Sequence, residues 1–208
     1  MSRIFLLSPA HCGGERAQLV FNDAATFAVA RGLREPGGVP LGEVFTFLSG
    51  LYFRGKLAYA RAFQDPPAGV PGVLVITAND GLRSPEHAVD LKKLAKYARG
   101  SIDLGNAGYR RPLLRDARLI DAAAGPLCEV VLLGSVASGK YVDVLLDVFG
   151  PRLLFPATFV GRGDMSRGGL MLRCVDAGRE LDYVPVAGAV RHGPRPPRLA
   201  PRRWPRPR

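Results

Sequence analysis

Residues 128–141 read CEVVLLGSVASGKY, a short apolar run followed by a glycine-containing loop. The run CEVVLL is rich in aliphatic residues and stops at Gly134, which is typical of a buried strand. Residues 142–149 then predict a helix, and Gly150 and Pro151 end it. This stretch therefore has the strand–loop–helix order of an α/β fold.

The same order recurs along the chain. Apolar runs predict strands over residues 3–7, 72–78, 128–133, 153–155 and 183–186. Helical periodicity predicts helices over residues 16–33 (split near Asn22), 51–63, 89–98, 142–149 and 166–178. Because the strands are apolar almost throughout, both faces of the sheet should be covered. The sequence predicts a three-layer (αβα) Rossmann-like sandwich with a mostly parallel sheet of about 4–5 strands.

Most of the positive charge lies at the end of the chain. The 208 residues include 29 Lys and Arg against 18 Asp and Glu, a formal net charge of +11. Residues 191–208 hold seven arginines, six prolines and no acid, so 22 basic and 18 acidic residues leave +4 on residues 1–190. We predict a single α/β domain over 1–190 and a disordered Pro/Arg-rich basic tail over 191–208.

The tail attracts polyanions through counterion release, with Arg202, Arg203 and Arg206 as nucleic-acid contacts. Two alternatives stay open. The tail could merely increase solubility, or its proline segments 194–197 and 201–205 could dock a partner domain.

The cysteines and the apolar runs limit the cellular compartments in which we expect the protein. Cys12, Cys128 and Cys174 are odd in number and form no CxxC pair, which argues against a disulfide framework or a zinc ribbon and favours a reducing cytoplasm. No apolar run reaches the roughly 18 residues of a membrane helix, and the first residues predict a strand rather than a signal peptide. We expect no membrane partner, no metal and no cofactor.

Ligands of open α/β sheets bind beyond the carboxyl ends of the strands, so the loops there are the candidate sites. The loop GSVASGKY fits the GxxxxGK pattern of a phosphate-binding P-loop. We predict phosphate contacts from Gly134, Ser135, Ser138, Gly139 and Lys140. Tyr141 replaces the usual Ser or Thr, and only 67 residues follow it, which argues against nucleotide hydrolysis. A simple tight turn is the alternative.

The glycine-rich loop 161–169 is the second candidate anion site. We expect residues 166–178 to form a helix that Asp164 or Ser166 caps. Its N-terminus would then bind an anion together with its flanking residues Gly161, Arg162, Gly163 and Arg167. The alternative is a surface loop with an internal salt bridge.

Three side chains are candidate catalytic groups. Asp80 and Asp164 could orient water for hydrolysis of an N-glycosidic bond, or could only cap helices and turns. His11 follows the first strand, but its neighbour Cys12 should face the opposite way, which argues against a His–Cys dyad.

The stretch 52–61 mixes aromatic and basic residues. It could stack bases and contact phosphate. On a helix, the aromatic residues would instead face the core while Arg54, Lys56 and Arg61 are solvated.

Three segments carry a distant family resemblance: a first strand leading into Ser8-Pro9-Ala10, the amphipathic segment 51–63, and VLVITANDGLR at 73–83 followed by Pro85. With them the chain resembles the YaaA-type peroxide-stress proteins and related uncharacterised α/β proteins. It departs from that pattern at Asn79-Asp80, and the loop 161–169 has no counterpart there. The resemblance implies a nucleic-acid-related protein of the bacterial cytoplasm, with a layout similar to base-excision glycosylases, and assigns no catalytic residue.

We therefore expect a cytoplasmic protein that binds nucleic acid or a nucleotide-like phosphate ligand in a Gly/Arg-rich pocket at the C-terminal edge of the sheet. The alternatives are a glycosylase-like hydrolase of a nucleoside or base, and an interaction protein acting through its tail. The choice between DNA and RNA, and the oligomeric state, stay open.

Overall fold

The computed structural model describes residues 2–137 and 139–200. Its strands are β1 (Arg3–Leu7), β2 (Val39–Pro40), β3 (Val73–Ile76), β4 (Leu82–Arg83), β5 (Ala88–Val89), β6 (Glu129–Leu133), β7 (Leu153–Pro156) and β8 (Tyr183–Pro185). Its α-helices are α1 (Glu15–Phe21), α2 (Ala28–Gly32), α3 (Leu41–Ser49), α4 (Leu51–Phe63), α5 (Leu91–Arg99), α6 (Ala107–Ala124), α7 (Gly139–Phe149) and α8 (Asp164–Ala177). Short 3₁₀ turns cover Gly150–Arg152 and Ala157–Phe159.

The central sheet has six strands in the order β4-β3-β1-β6-β7-β8. The four inner strands are parallel, and the edge strands β4 and β8 are antiparallel to their neighbours. Strands β2 and β5 form a separate antiparallel pair. The mostly parallel α/β sheet is confirmed. It is slightly larger than predicted because the two-residue strand β4 adds a pairing too short to read from sequence.

Alternate residues of the strands pack into two cores. Phe5 and Leu7 of β1 face the cluster containing α1, α3, α4, α5 and Met171 of α8. Ile4 and Leu6 face the cluster formed with α6 and α7. All four side chains are fully buried. Burial on both faces explains why the strands are apolar throughout, and it gives the predicted three-layer αβα arrangement.

The predicted strands and helices are present, with ends shifted by a few residues. Two helices were not predicted. Helix α6 carries Pro112 and several arginines, yet it buries Tyr109, Leu113 and Ala117 against the sheet. Helix α3 precedes α4 with only Gly50 between them, at φ 58°.

Helix α8 begins earlier than predicted. It starts at Asp164, its N-cap residue is Gly163, and no side chain caps it. The predicted capping by Asp164 or Ser166 is therefore wrong, since both residues lie inside the first turn. The helix ends at Gly178 in the left-handed conformation, at φ 59°, as the glycine predicts.

The direction of the chain connections reverses at β1. From β1 the chain passes to β3 on one side, and it later returns to β6 on the other side. Such a reversal leaves a crevice between the carboxyl ends of the two strands, where ligands of open α/β sheets commonly bind. Here the reversal lies between β1 and β6, so their carboxyl ends are where the rule predicts a ligand.

Helices α4 and α8 cross at very short distance. A Cβ atom placed on Gly55 would lie 2.6 Å from the carbonyl oxygen of Gly168, and one placed on Gly168 would lie 2.6 Å from the carbonyl oxygen of Leu51. The two backbones can touch only because both positions are glycine. This contact sets Lys56 of α4 beside Arg167 of α8.

We predict that Gly168→Ala lowers the free energy of unfolding by about 1–3 kcal/mol, because the added methyl group must push the two helices apart. Gly169→Ala is the matched control. Its Cβ would meet nothing closer than 3.9 Å, so the higher helix propensity of alanine should make it neutral or stabilising by about 0.5–1 kcal/mol. Urea unfolding of both variants tests this, and equal effects at the two positions would contradict the close crossing.

Candidate functional site

The ends of β1 and β6 meet at Ser8 and Gly134. Leu7 and Leu133 are register partners, and the backbone N–H of Ser8 donates to the carbonyl oxygen of Leu133 at 3.1 Å. A Cβ on Gly134 would lie 2.8 Å from Ser8 Cβ and 2.8 Å from the hydroxyl oxygen of Tyr141. Glycine at this position therefore lets the serine and tyrosine side chains approach the strand end.

Lys56 reaches the ends of these strands from α4. Its side chain is buried, with 1% exposure, and its Nζ donates to the carbonyl oxygen of Ser8 at 2.6 Å and to Ser8 Oγ at 2.9 Å. The Nζ also lies 4.5 Å from the ring centroid of Tyr52 and 4.8 Å from that of Phe53. Among the described residues, no carboxylate forms an ion pair with it.

The surroundings of Lys56 disfavour its charged form. Burial is the main cause and lowers the pKa of Lys56 to about 7, Asp164 opposes this change, and Arg167 adds to it. A large fraction of the amine is therefore neutral near physiological pH. A neutral amine can accept a proton, which an ordinary surface lysine cannot do at this pH.

The N-terminal turn of α8 covers the cluster. Arg167 is buried and donates to the carbonyl oxygen of Phe159 from Nε at 3.2 Å and from Nη2 at 2.9 Å. It also pairs with Asp164 at 3.3 Å, and the Asp164 side chain is 65% exposed. Phe159 follows β7, so the cluster joins the ends of three adjacent parallel strands. Asp164 connects it to solvent.

Two tyrosine hydroxyls complete the cluster. Tyr141 donates to the carbonyl oxygen of Ser135 at 2.9 Å. The buried hydroxyl of Tyr52 has no hydrogen-bond partner within the part of the chain that the structure describes. Arg167 interacts with this hydroxyl and opposes the rise in its pKa that burial causes, although no hydrogen bond of ordinary geometry joins the two groups. An unpartnered buried hydroxyl is costly and indicates a place for a ligand atom or water.

A separate cavity lies beside α4 and the start of α8. Its volume is about 460 Å³, and it lies between α4, the start of α8 and residues 195–200. Its lining includes five arginines, namely Arg54, Arg162, Arg173, Arg195 and Arg198. Among the described residues, no acidic side chain lines it.

The five arginines keep their charges available. None of them pairs with a carboxylate of residues 2–137 or 139–200. Arg162 donates to Ser166 Oγ at 2.9 Å, and Arg173 donates to the carbonyl oxygen of Ala200. Gly163, Met165 and Ser166 bring the uncapped N-terminus of α8 to the same wall. The cavity therefore combines a helix N-terminus with positive charges that form no ion pair among the described residues, and both attract anions.

The structure brings part of the predicted site together. Gly134, Ser135, Asp164 and Arg167 belong to the cluster around Lys56, while Arg162 and Gly163 line the arginine cavity. Gly161, at φ 69°, instead packs against Gly193 and Pro194.

Gly139 and Lys140, the remaining predicted phosphate residues that the structure describes, belong to neither place. Gly139 and Lys140 begin α7, where Gly139 packs against Asp143 and Lys140 is exposed. Ser138, Arg202, Arg203 and Arg206 lie outside the described residues. Residues 191–200, the described part of the tail, contain no helix or strand.

Asp80 lies at the far edge of the sheet in an ion-pair network. Its carboxylate is 2.6 Å from Arg83 and 3.2 Å from Lys93, and it accepts a hydrogen bond from the Tyr97 hydroxyl at 3.2 Å. Burial acts to raise the pKa of Asp80, but the bonds to Arg83 and Lys93 outweigh it and lower the pKa to about 2. So weak a base is poorly suited to activate water. A catalytic role for Asp80 stays a prediction, and its contacts favour a structural one.

His11 lies in a small cavity of about 70 Å³ that Cys12 and Tyr97 also line. Burial raises the pKa of Cys12 to about 12, so its thiol is not poised as a nucleophile.

Sequence reasoning missed the central residue of the cluster. For residues 52–61, one alternative is a helix with its aromatic residues in the core and its basic residues in solvent. Its expectation that Lys56 is solvated is wrong, whereas Arg54 and Arg61 are exposed as it predicts. Tyr52, Phe53 and Tyr59 are buried as it also states. A signal was present, because Lys56 shares a helical stripe with Tyr52, Tyr59 and Phe63 at spacings of four, three and four residues.

Comparisons with protein-family models, with curated proteins and with solved structures gave no match to this chain. Over the described ranges, no group of three or more His, Cys, Asp and Glu could hold a metal ion. The described helices are all too short or too polar to cross a membrane.

We predict that Lys56 makes the free energy of unfolding depend on pH. Between its pKa of about 7 in the folded chain and its ordinary value of 10.5, the unfolded chain binds a proton that the folded chain does not. The free energy of unfolding should therefore rise with pH, relative to Lys56→Met, by up to about 1.4 kcal/mol per pH unit.

Urea unfolding at several pH values between 7 and 10 measures this difference. Lys92→Met, which changes an exposed lysine, should keep the pH dependence of the original chain. Parallel curves for the original chain and Lys56→Met would show that Lys56 has an ordinary pKa.

Proposed function

We propose that this protein binds a phosphate-bearing ligand, nucleic acid or a nucleotide-like anion, in the arginine cavity between α4, α8 and residues 195–200. The observation that carries the proposal is the set of five arginines around one cavity whose described lining includes no carboxylate. Like charges gathered in one place repel each other, so such a set is favourable mainly when an anion neutralises it. Arginine is also the side chain best suited to phosphate, because its planar group donates two parallel hydrogen bonds.

The apolar part of the lining favours a ligand that is more than a phosphate ion. Leu51, Met165, Leu172 and Leu199 line the cavity together with Pro196 and Pro197. These side chains can contact a base or sugar while the arginines bind phosphate. A volume of about 460 Å³ is within the range of small-molecule sites. A nucleotide unit matches both kinds of surface.

The tail contributes directly to the proposed site. Arg195 and Arg198 precede the segment whose Ala200 carbonyl accepts a hydrogen bond from Arg173. The basic tail thus supplies part of the cavity and, further along the sequence, more arginines for non-specific contact with a polyanion. The sequence resemblance to YaaA-type proteins supports nucleic acid as the ligand class and the bacterial cytoplasm as the compartment.

We predict that the double variant Arg54→Gln/Arg195→Gln weakens binding of a fluorescent 12-nucleotide single strand at least tenfold. The side chains of Arg54 and Arg195 make no hydrogen bond or ion pair with the described residues, so the fold should be unaffected. Losing two phosphate contacts should also reduce the slope of log affinity against log salt by about 1.4. Fluorescence anisotropy with DNA and RNA strands, at several salt concentrations, measures both quantities.

The control is Arg118→Gln together with Arg111→Gln. Both residues are exposed on α6, away from the cavity lining, and the pair removes the same net charge. Competition by ADP and by inorganic phosphate separates a nucleotide site from a simple phosphate site. Equal losses in the two double variants, or an affinity independent of salt, would contradict the proposed site.

A further inference from the structure

The cluster at the ends of β1 and β6 has the parts of a catalytic site that the proposed anion binding does not use. Ser8 Oγ lies 2.9 Å from Lys56 Nζ, within the reach required between a nucleophile and its base. The same Nζ contacts the carbonyl oxygen of Ser8 at 2.6 Å, which fixes the direction of the amine. We propose that Ser8 and Lys56 form a catalytic pair in which Ser8 Oγ attacks the carbonyl carbon of a carboxylic ester.

The groups around Lys56 favour its role as a base. Arg167 and Asp164 face it from α8, Tyr52 lies beside it on α4, and Tyr141 reaches the same strand ends from α7. Asp164 is largely exposed and already paired with Arg167, so its influence on the amine is weakened by solvent. Burial and Arg167 therefore prevail and leave the amine with a pKa near 7, at which a lysine can take a proton from a hydroxyl.

The unpartnered hydroxyl of Tyr52 is an independent indication of a ligand. Tyr52 is buried, with 6% exposure, and its oxygen has no partner in residues 2–137 or 139–200. The Tyr52 ring centroid lies 4.5 Å from Lys56 Nζ, and a tyrosine hydroxyl in the site of a nucleophile can donate to the negative charge that develops on a carbonyl oxygen. The reaction supplies the partner that this hydroxyl lacks.

The proposed reaction has two steps. In the first, Lys56 takes the proton of Ser8 Oγ as the oxygen bonds to the carbonyl carbon, and the ester C–O bond then breaks while the lysine ammonium returns the proton to the departing alkoxide. In the second, Lys56 takes a proton from water, the hydroxide attacks the acyl-serine, and the proton passes back to Ser8 Oγ. The sum is ester and water giving acid and alcohol.

The position of the pair limits the substrate. Ser8 has 6% exposure and lies next to Gly134, at the strand ends where the chain connections reverse. In the same cluster, Ser135 is half-buried and only Asp164 is largely exposed. We therefore expect esters of small acyl groups, such as acetyl, to react.

An alkyl fluorophosphonate tests the pair directly. Attack by Ser8 Oγ would form an O–P bond and break the P–F bond, with fluoride leaving and the hydroxyl proton passing through Lys56 to water. We expect one adduct, mapped to Ser8 by peptide mass spectrometry and absent from Ser8→Ala. Ser101→Ala, at an exposed serine, should label like the original chain. Lys56→Met should slow labelling about 100-fold or more.

Two further measurements keep the test decisive if Lys56→Met is poorly folded. The labelling rate of the original chain should rise with pH and level off above about pH 8, as the amine loses its proton. Hydrolysis of 4-nitrophenyl acetate should follow the same profile and be lost in Ser8→Ala. The proposal is overturned if Ser8 gains no adduct from either the fluorophosphonate or the smaller phenylmethanesulfonyl fluoride, or if labelling does not depend on pH. Neither result bears on nucleotide binding, which the arginine variants test separately.

Discussion

The contact between Gly55 and Gly168 is the constraint on which both candidate sites depend. Because neither residue has a side chain, α8 lies directly on α4, and this contact covers Lys56 with Arg167. A wider crossing would admit water to the amine, and the main cause of its lowered pKa would disappear. The same contact sets the start of α8 beside Arg54, where the arginine cavity opens. Gly55 and Gly168 therefore determine the surroundings of Lys56, on which its charge depends, and the neighbours of Arg54.

The fold could be predicted largely from sequence because the inner strands are buried on both faces. Residues 128–133 are apolar almost throughout, and no amphipathic helix or surface strand shows that pattern. Helix α6 was not predicted, because Pro112 and the arginines of this helix obscure the apolar pattern of Tyr109, Leu113 and Ala117 in the sequence. Only packing against the sheet shows that the proline is tolerated. Local propensity is weak evidence when tertiary contacts decide.

The candidate site was predictable only in part. The loops after β6 and β7 do meet, since their strands are adjacent and parallel, and this follows from topology alone. Asp80 follows β3 instead, and its carboxylate forms ion pairs with Arg83 and Lys93. The burial of Lys56 does not follow from the sequence, because a lysine in a helical stripe can also extend to solvent. The cavity needs residues 195–200 against α8, and a proline-rich sequence does not specify such a contact.

An anion bound in the arginine cavity would disfavour the neutral Lys56 amine that the proposed reaction at Ser8 needs. Arg54 and Lys56 lie on different faces of α4, and Arg167, which lowers the pKa of Lys56, lies one helical turn from the cavity residue Gly163. An anion in the cavity brings negative charge toward the amine and so favours its protonated form, as Asp164 already does. A protonated lysine cannot act as a base. A bound phosphate would therefore slow a reaction at Ser8, whereas an empty cavity leaves the amine free to accept the serine proton. The two proposed sites are therefore linked through the charge of Lys56 rather than through a change of shape.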